Sequence, residues 1–155
     1  MPNNVLPVYS GKGVVGVFSN PAFAPGGIQI SGVAELGLER LTIRPTITQG
    51  SLKNGMDGAV VPSVNPGNQG EIEVEVWQTS SLHQQLLQLY NNCKNASDAG
   101  DPSAWFAGSI YLELTTTGLI HQGTGVGIAK SPDVPYETEA GVCRWTLLCA
   151  NLNSN

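Results

Sequence analysis

Three glutamates at alternate positions, Glu71, Glu73 and Glu75, are the residues whose type and spacing come closest to catalytic chemistry. Alternate residues of a strand point to the same face and lie about 6 to 7 Å apart. Two carboxylates at such a separation can act as general acid and base on a glycosidic bond. A hydrolase also needs unequal carboxylate environments and a cleft with aromatic platforms, which the sequence does not indicate. We therefore interpret the three side chains as a solvent-exposed strand face and keep a hydrolase as the least favoured alternative.

Other candidate motifs are weaker. The glycine-rich stretch 123–127 lacks the full phosphate-binding fingerprint and leads into strand-like residues rather than a helix N-terminus. His83 and His121 have no second histidine or glutamate nearby at metal-ligand spacing, so both are predicted to be surface residues. No serine lies in a nucleophile-elbow pattern. The sequence therefore predicts no catalytic residue, no metal and no cofactor.

The three cysteines, Cys93, Cys143 and Cys149, are an odd number without a C-x-x-C spacing, so they predict neither a disulfide framework nor a zinc site. Cys143 and Cys149 share one face of a predicted strand about 20 Å apart, which is too far for a disulfide. All three are predicted to be buried small apolar residues, and a reducing cytoplasm fits them.

The glutamates belong to a strand that is followed at once by an amphipathic helix. The other face of the strand carries Ile72, Val74 and Val76, which predicts one core face and one wet face. The helix is predicted over about 81–93, with Ser81 as N-cap and Gln84 completing a capping box. One apolar stripe along this helix consists of Leu82, Leu86, Leu89, Tyr90 and Cys93.

The remaining chain is predicted to be mainly β. Two strong turn signals, Asn54-Gly55 and Asp57-Gly58, predict a long exposed hairpin or loop over about 45–65. Residues 1–10 are predicted to form an N-terminal arm, and 94–103 a polar loop. Further strands are predicted at 11–18, 27–33, 36–47, 108–117, 119–130 and 142–152. The whole chain, 1–155, is interpreted as one domain, a β-sandwich or barrel with a single flanking helix.

Composition narrows the classes of function. Only 12% of the residues are charged, against about 25% in an ordinary soluble domain. This shortage suggests that neighbouring subunits cover much of the surface, because interface cores are depleted of charge. The net charge of -5 argues against nucleic-acid binding through phosphate neutralisation. Since no signal peptide or long apolar run is present, we expect a soluble protein without membrane insertion.

One ordered set of residues resembles the small tail tube proteins of contractile-tailed bacteriophages, a family of phage structural proteins of about 150 residues. The resemblance is strongest over 70–90 and 127–145. It consists of Gly70-x-Ile-x-Val-x-Val-x-x-Thr79-Ser80-x-x-x-x-x-Leu86-x-x-Leu89-Tyr90, then Gly118, Gly127-Ile128-Ala129-Lys130-x-Pro132-Asp133 and Trp145.

This resemblance implies a six-membered ring that stacks into a hollow tube inside a contractile sheath. The implied partners are further copies of the chain, the tail sheath protein, and the baseplate and tail terminator proteins. DNA is implied only as non-specific cargo of the channel. The implied location is the tail of the virion, after assembly in the host cytoplasm, and no enzymatic activity is implied.

Two surfaces are predicted for the tube subunit. The hairpin is expected to contact the adjacent ring through Lys53, Asn54, Met56 and Asp57. The acidic strand face is expected to line the lumen with Glu71, Glu73 and Glu75, since an acidic wall repels a polyanion and keeps it sliding.

Two alternatives to a phage tail tube remain open at this point. One is a tube subunit of a phage-derived secretion or injection device. The other is a carbohydrate- or receptor-binding β-sandwich, in which exposed aromatic rings form sugar platforms. The candidates for such platforms are Trp77, Trp105, Tyr111 and Tyr136. Burial of the two tryptophans against the helix is the competing prediction.

Overall fold

The computed structural model describes residues 8, 10, 13–31 and 37–155, so most of the predicted arm over 1–10 lies outside the described residues. The described chain forms nine strands and one helix. In chain order they are β1 (Val14–Asn20), β2 (Ala24–Ser31), β3 (Leu38–Pro45), β4 (Gly50–Asn54), β5 (Val60–Val64), β6 (Gly70–Trp77), α1 (Ser81–Asp98), β7 (Gly108–Leu114), β8 (Leu119–Ile128) and β9 (Val142–Ser154).

Seven strands form one antiparallel sheet in the order β2-β1-β7-β8-β9-β6-β3, while β4 and β5 pair only with each other. The large sheet curls into a half-barrel with α1 packed on it, which confirms the predicted mainly β fold with one helix. Because β3 is an edge strand, Pro45 can end it without removing a ladder hydrogen bond.

The core lies between the helix and one face of the sheet. Strict alternation in β6 and β9 sends every second side chain into it, and α1 adds its apolar stripe. Trp145 is the largest fully buried side chain. The innermost residues, each at 0% exposure, are Ile30, Ile72, Val74, Val76, Leu82, Leu86, Val126, Cys143, Trp145 and Leu147.

The helix differs from its prediction at both ends. Its N-cap is Ser80, which has an extended backbone and whose side chain accepts a hydrogen bond from the His83 backbone N–H at 3.1 Å. The predicted capping box of Ser81 and Gln84 is therefore wrong by one residue. The helix also continues to Asp98, and its C-cap Ala99 is followed by Gly100 at φ 97°. Within the described chain, no helix combines the length and apolar character needed to cross a membrane.

A bulge interrupts strand β8, which the sequence predicts as a continuous strand over 119–130. In the ladder between β7 and β8, Ser109 pairs with Thr124 and Gly108 pairs with Val126. Gly125 therefore has no partner on β7, and it adopts φ 62°. The faces of β8 exchange at this residue. Gly123 and Val126 therefore both face the core although they are three residues apart, because the bulge reverses the alternation of side chains along the strand.

The strand registers give the two ends of the large sheet different features. Pro45 pairs with Gly70, and the hairpin of β4 and β5 lies between these two residues in the chain. At the opposite end Trp77 pairs with Val142, and the chain passes from β6 into α1. These are called the hairpin end and the helix end below.

Candidate assembly surfaces

The hairpin of β4 and β5 has an unpartnered apolar face. Its register pairs Leu52 with Pro62, Asn54 with Val60 and Gly50 with Val64. Directly paired residues of an antiparallel ladder point to the same side, so these six share one face. Leu52 is 71% exposed, Val60 53% and Val64 83%. An isolated two-stranded hairpin is marginally stable in water, and an exposed apolar patch marks an interaction site.

The base and the tip of the hairpin are held by local hydrogen bonds. At the base, the Gln49 side-chain amide donates to the Gly67 carbonyl at 2.8 Å and to Asn68 Oδ1 at 2.7 Å. At the tip, the Gly55 N–H donates to the Ala59 carbonyl at 2.7 Å, and Gly58 adopts φ 86°. These contacts close the hairpin at both ends, within the range of about 45–65 over which the sequence predicts a hairpin or loop.

The four residues predicted to contact an adjacent ring lie in the outer half of this hairpin. Met56 is fully exposed at the tip. Lys53 belongs to the face opposite Leu52, beside Val61. Asp57 Oδ1 accepts the Ala59 N–H at 3.0 Å and so helps to form the turn.

The predicted acidic face is an ion-pair ladder rather than a solvated row of carboxylates. Arg144 Nε lies 2.8 Å from Glu75 and 3.2 Å from Glu73. Arg44 pairs with Glu71 at 3.3 Å and with Glu73 at 3.6 Å. The ladder joins three neighbouring strands, because the arginines come from β3 and β9 and the glutamates from β6.

The ladder corrects the predicted exposure of these glutamates. Glu75 is 7% exposed as a residue, whereas the side chain of Arg144 remains 68% exposed. With Arg40 at 3.7 Å from Glu75, three guanidiniums balance three carboxylates, so the ladder is neutral in sum. The carboxylates contact arginines of both neighbouring strands, an arrangement typical of a structural ion-pair network.

Removing Arg144 tests the ladder. We expect Arg144→Gln to lower the free energy of unfolding by about 1–3 kcal/mol, because it leaves the nearly buried Glu75 with only the longer Arg40 contact. Arg40→Gln is the matched control and should cost less than about 1 kcal/mol, since Arg40 makes one longer contact with Glu75 at 3.7 Å and none with Glu73. Urea unfolding measures both, and equal losses in the two variants would contradict the assigned geometry.

His83 is buried at 6% exposure, so its prediction as a surface residue is wrong. The Trp145 indole N–H donates to its Nδ1 at 3.1 Å, which places the proton of the neutral imidazole on Nε2. Burial lowers the pKa of His83. The signal in the sequence was its spacing, since His83 lies three residues before Leu86 and seven before Tyr90, along the apolar stripe.

Burial also lowers the pKa of the second histidine, His121, which is half-buried, contrary to its predicted surface position. Its Nδ1 shares a hydrogen bond with Ser154 Oγ at 2.6 Å. This contact joins the start of β8 to the end of β9. It is a structural contact at the hairpin end of the sheet.

Because burial lowers the pKa values of both histidines, we expect the protein to lose stability in mild acid. The folded state keeps His83 neutral, while the unfolded chain binds a proton below a pKa of about 6.5. Stability is therefore complete above pH 6.5 and falls as the pH approaches the lowered folded-state pKa, by up to about 1.4 kcal/mol per pH unit. Unfolding of the wild type between pH 7 and 5.5 should show this slope. His83→Gln should flatten it more than His121→Gln, and an unchanged slope in His83→Gln would contradict the assignment.

The four aromatic candidates for sugar platforms do not share a face. Trp105 packs edge-on against Tyr90 of the helix at 5.8 Å and donates its indole N–H to the Ile128 carbonyl at 2.8 Å. Its predicted burial against the helix is confirmed in part, since it is half-buried. Trp77 is 41% exposed and Tyr136 88% exposed, so the predicted burial of Trp77 is wrong.

The predicted burial of the cysteines is confirmed, since Cys93, Cys143 and Cys149 are free and buried. Burial raises the pKa of Cys149 to about 11, so its thiol is protonated and unreactive near neutral pH. Among the described residues, no group of three or more histidine, cysteine or acidic side chains lies together in a way that suits a metal ion.

This half-barrel with one helix is the fold of chains in contractile injection systems. A chain of the anti-feeding prophage (AFP) tube terminating cap aligns with a TM-score of 0.58 and 10% identity over 100% of this chain and 95% of that chain. A chain of the PVC sheath/tube terminator in the extended state aligns with a TM-score of 0.53 and 10% identity, over 99% of this chain and 98% of that chain. A chain of the PVC sheath-tube complex in the extended state aligns with a TM-score of 0.53 and 10% identity, over 98% of this chain and 92% of that chain.

The amino-acid sequence shows the family to which the chain belongs. Residues 22–155 match the bacteriophage PhiTE tail tube protein family. The chain belongs to this family, and the resemblance to phage tail tube proteins is confirmed. A search of curated proteins finds no match.

Proposed function

We propose that this protein is the structural subunit of a phage tail tube, in which six-membered rings stack around a channel for DNA. The observation that carries the proposal is the unpartnered apolar hairpin on a chain of the tail tube family. The proposed partners are further copies of the chain, the tail sheath protein, and the baseplate and terminator proteins. Its proposed location is the virion tail, after assembly in the host cytoplasm.

Burial supports association with identical copies. The five residues of β4 and the five of β5 are all exposed in the isolated subunit. Apolar side chains gain about 25 cal/mol for each Å² that they remove from water, and the subunit itself offers this hairpin no cover. A homopolymer supplies a partner for every copy, and the low charge content of 12% suits a surface that neighbours cover.

The hairpin is the proposed contact between rings, through Lys53, Asn54, Met56 and Asp57. All four residues are exposed, and Met56 is a flexible side chain that adapts to irregular apolar surfaces. Local hydrogen bonds hold the turn, so little conformational freedom is lost when a neighbour binds it.

The sheet face opposite the helix is the proposed lumen wall, with Glu71, Glu73 and Glu75 at one side. The ladder supports passage of DNA in a way that an acidic wall alone does not. Each arginine near these glutamates already has a carboxylate partner, so it gains little from exchanging that partner for a phosphate. We therefore do not expect these arginines to form strong phosphate sites at which DNA would stall.

Electron microscopy of concentrated purified protein tests this function. We expect six-fold rings or stacked tubes with a central hole. Class averages that contain only featureless particles of subunit size would contradict the proposal. A reconstruction that placed all three glutamates outside the channel would reject the lumen assignment and leave the tube subunit in place.

A tube subunit of a phage-derived injection device is the second candidate. It is favoured by the shared fold with a chain of the AFP tube terminating cap and a chain of PVC, an extracellular contractile injection system. The two candidates differ in cargo. Particles isolated from producing cells should be joined to DNA-filled capsids in the first case and should lack capsids and DNA in the second.

A further inference from the structure

We infer that the hairpin of one copy binds to the helix end of the next copy, on a patch formed by Trp77 and Tyr136. This inference rests on the proposed function and adds the surface that receives the hairpin. The patch and the hairpin belong to opposite ends of the same sheet, so the resulting contact is head to tail.

The separation of the two surfaces follows from the strand registers. The hairpin emerges between Pro45 and Gly70, while Trp77 lies at the far end of β6. Strand β6 spans eight residues, which corresponds to roughly 25 Å at about 3.4 Å per residue. The two surfaces therefore belong to different contacts of one subunit, but a second copy displaced along the strands brings them together.

The patch is built by the loop that follows β8. The Gln78 N–H donates to the Gly141 carbonyl at 3.0 Å, and the Gly141 N–H donates to Gln78 Oε1 at 2.8 Å. The Pro135 ring packs against Gly141, with no room there for a larger residue. This fixes the loop beside the end of β6, so Tyr136 at 88% exposure and Trp77 at 41% lie at the same end of the sheet.

The two surfaces are complementary in character. The hairpin presents aliphatic side chains and Met56, whose thioether packs well against aromatic rings. Aromatic residues and methionine are enriched in the cores of protein interfaces.

The charges of the two surfaces also favour a contact between them. Asp133, Glu137 and Glu139 make the loop around Tyr136 acidic, and all three are exposed. Every ion pair between side chains of the described residues involves Arg40, Arg44 or Arg144. Lys53 of the hairpin is therefore available to pair with a carboxylate of a neighbouring copy.

A head-to-tail contact between identical copies is heterologous, and it repeats without limit unless a rotation closes it. Each copy offers one hairpin and one patch, so bonds between the two surfaces continue from copy to copy. This distinguishes the inferred contact from a symmetric pairing of two hairpins, which ends at a dimer.

Disulfide crosslinking tests the contact directly. The double variant Met56→Cys/Tyr136→Cys is oxidised under assembly conditions, treated with an alkylating reagent and analysed on a non-reducing denaturing gel. We expect a ladder of covalent species larger than dimers. The native cysteines do not interfere because all three are buried. Either single variant should give no species above a dimer.

The matched control is Met56→Cys/Thr116→Cys, because Thr116 is exposed in the turn between β7 and β8, which the registers assign to the hairpin end. This pair should give no ladder. If rings or tubes form but Met56→Cys/Tyr136→Cys gives nothing above dimers, the inferred contact is wrong and the tube subunit stands. If the wild-type protein is a monomer at every concentration, both proposals fail.

Discussion

The variant Leu52→Asp/Val60→Asp is expected to abolish assembly and to leave the subunit folded. Both side chains lie on the exposed apolar face of the hairpin, so their replacement removes nothing from the core. In the assembly each buried aliphatic side chain contributes about 1.5–3 kcal/mol. Losing two weakens each contact by about 3–6 kcal/mol, or about 10²–10⁴-fold. Sedimentation velocity measures the loss, and thermal unfolding checks the fold.

The control for this variant adds the same charge to the other face of the same hairpin. In Ser51→Asp/Ser63→Asp the two carboxylates replace paired serines on the face that carries Lys53. We expect this control to assemble far better than Leu52→Asp/Val60→Asp. If Leu52→Asp/Val60→Asp assembled as well as the wild type, the hairpin would not be a subunit contact.

Replacement of Trp145 is expected to have the largest effect on the subunit itself. Trp145→Ala removes the largest fully buried side chain, which contacts the helix through His83 and Tyr90. Substitutions of this kind cost about 3–5 kcal/mol, which is a large part of the stability of a typical domain. Urea unfolding followed by circular dichroism measures the change, and assembly should be lost together with the fold.

Trp145→Phe separates packing from hydrogen bonding. It keeps an aromatic ring in the core but removes the indole N–H that His83 accepts. The expected cost is about 1–3 kcal/mol, smaller than that of alanine, because a buried acceptor loses its partner. If the alanine variant were as stable as the wild type, Trp145 would not be the contact that docks α1 on the sheet.

The parts of the fold that the sequence predicts well are those with a strict period. Alternation in β6 and β9 identified both core faces, and the apolar stripe identified the buried side of α1. The hairpin followed from its two glycine turns. These signals are local, so they survive without knowledge of which strands become neighbours.

The errors concern contacts between segments that are distant in the chain. The glutamates of β6 alternate like an exposed face, but β9 brings Arg144 beside Glu73 and Glu75. A pattern within one strand carries no information about the residue that pairs with it. The bulge at Gly125 was missed for a related reason, because the unpaired residue is defined by its partner strand.

The receiving patch was the least accessible to prediction. The sequence indicates Trp77 and Tyr136 as candidate exposed aromatic residues, but their common location depends on the loop contacts around Gly141. The backbone hydrogen bond between Gln78 and Gly141 joins segments that no local motif connects. Only the folded chain assigns both rings to the helix end.

Sedimentation velocity of the wild-type protein over a wide concentration range tests most directly whether identical copies bind one another and cover the exposed hairpin. We expect a concentration-dependent shift from the 16.3 kDa subunit to six-membered rings and longer stacks. A single species of subunit mass at every concentration, with the hairpin intact, would contradict it.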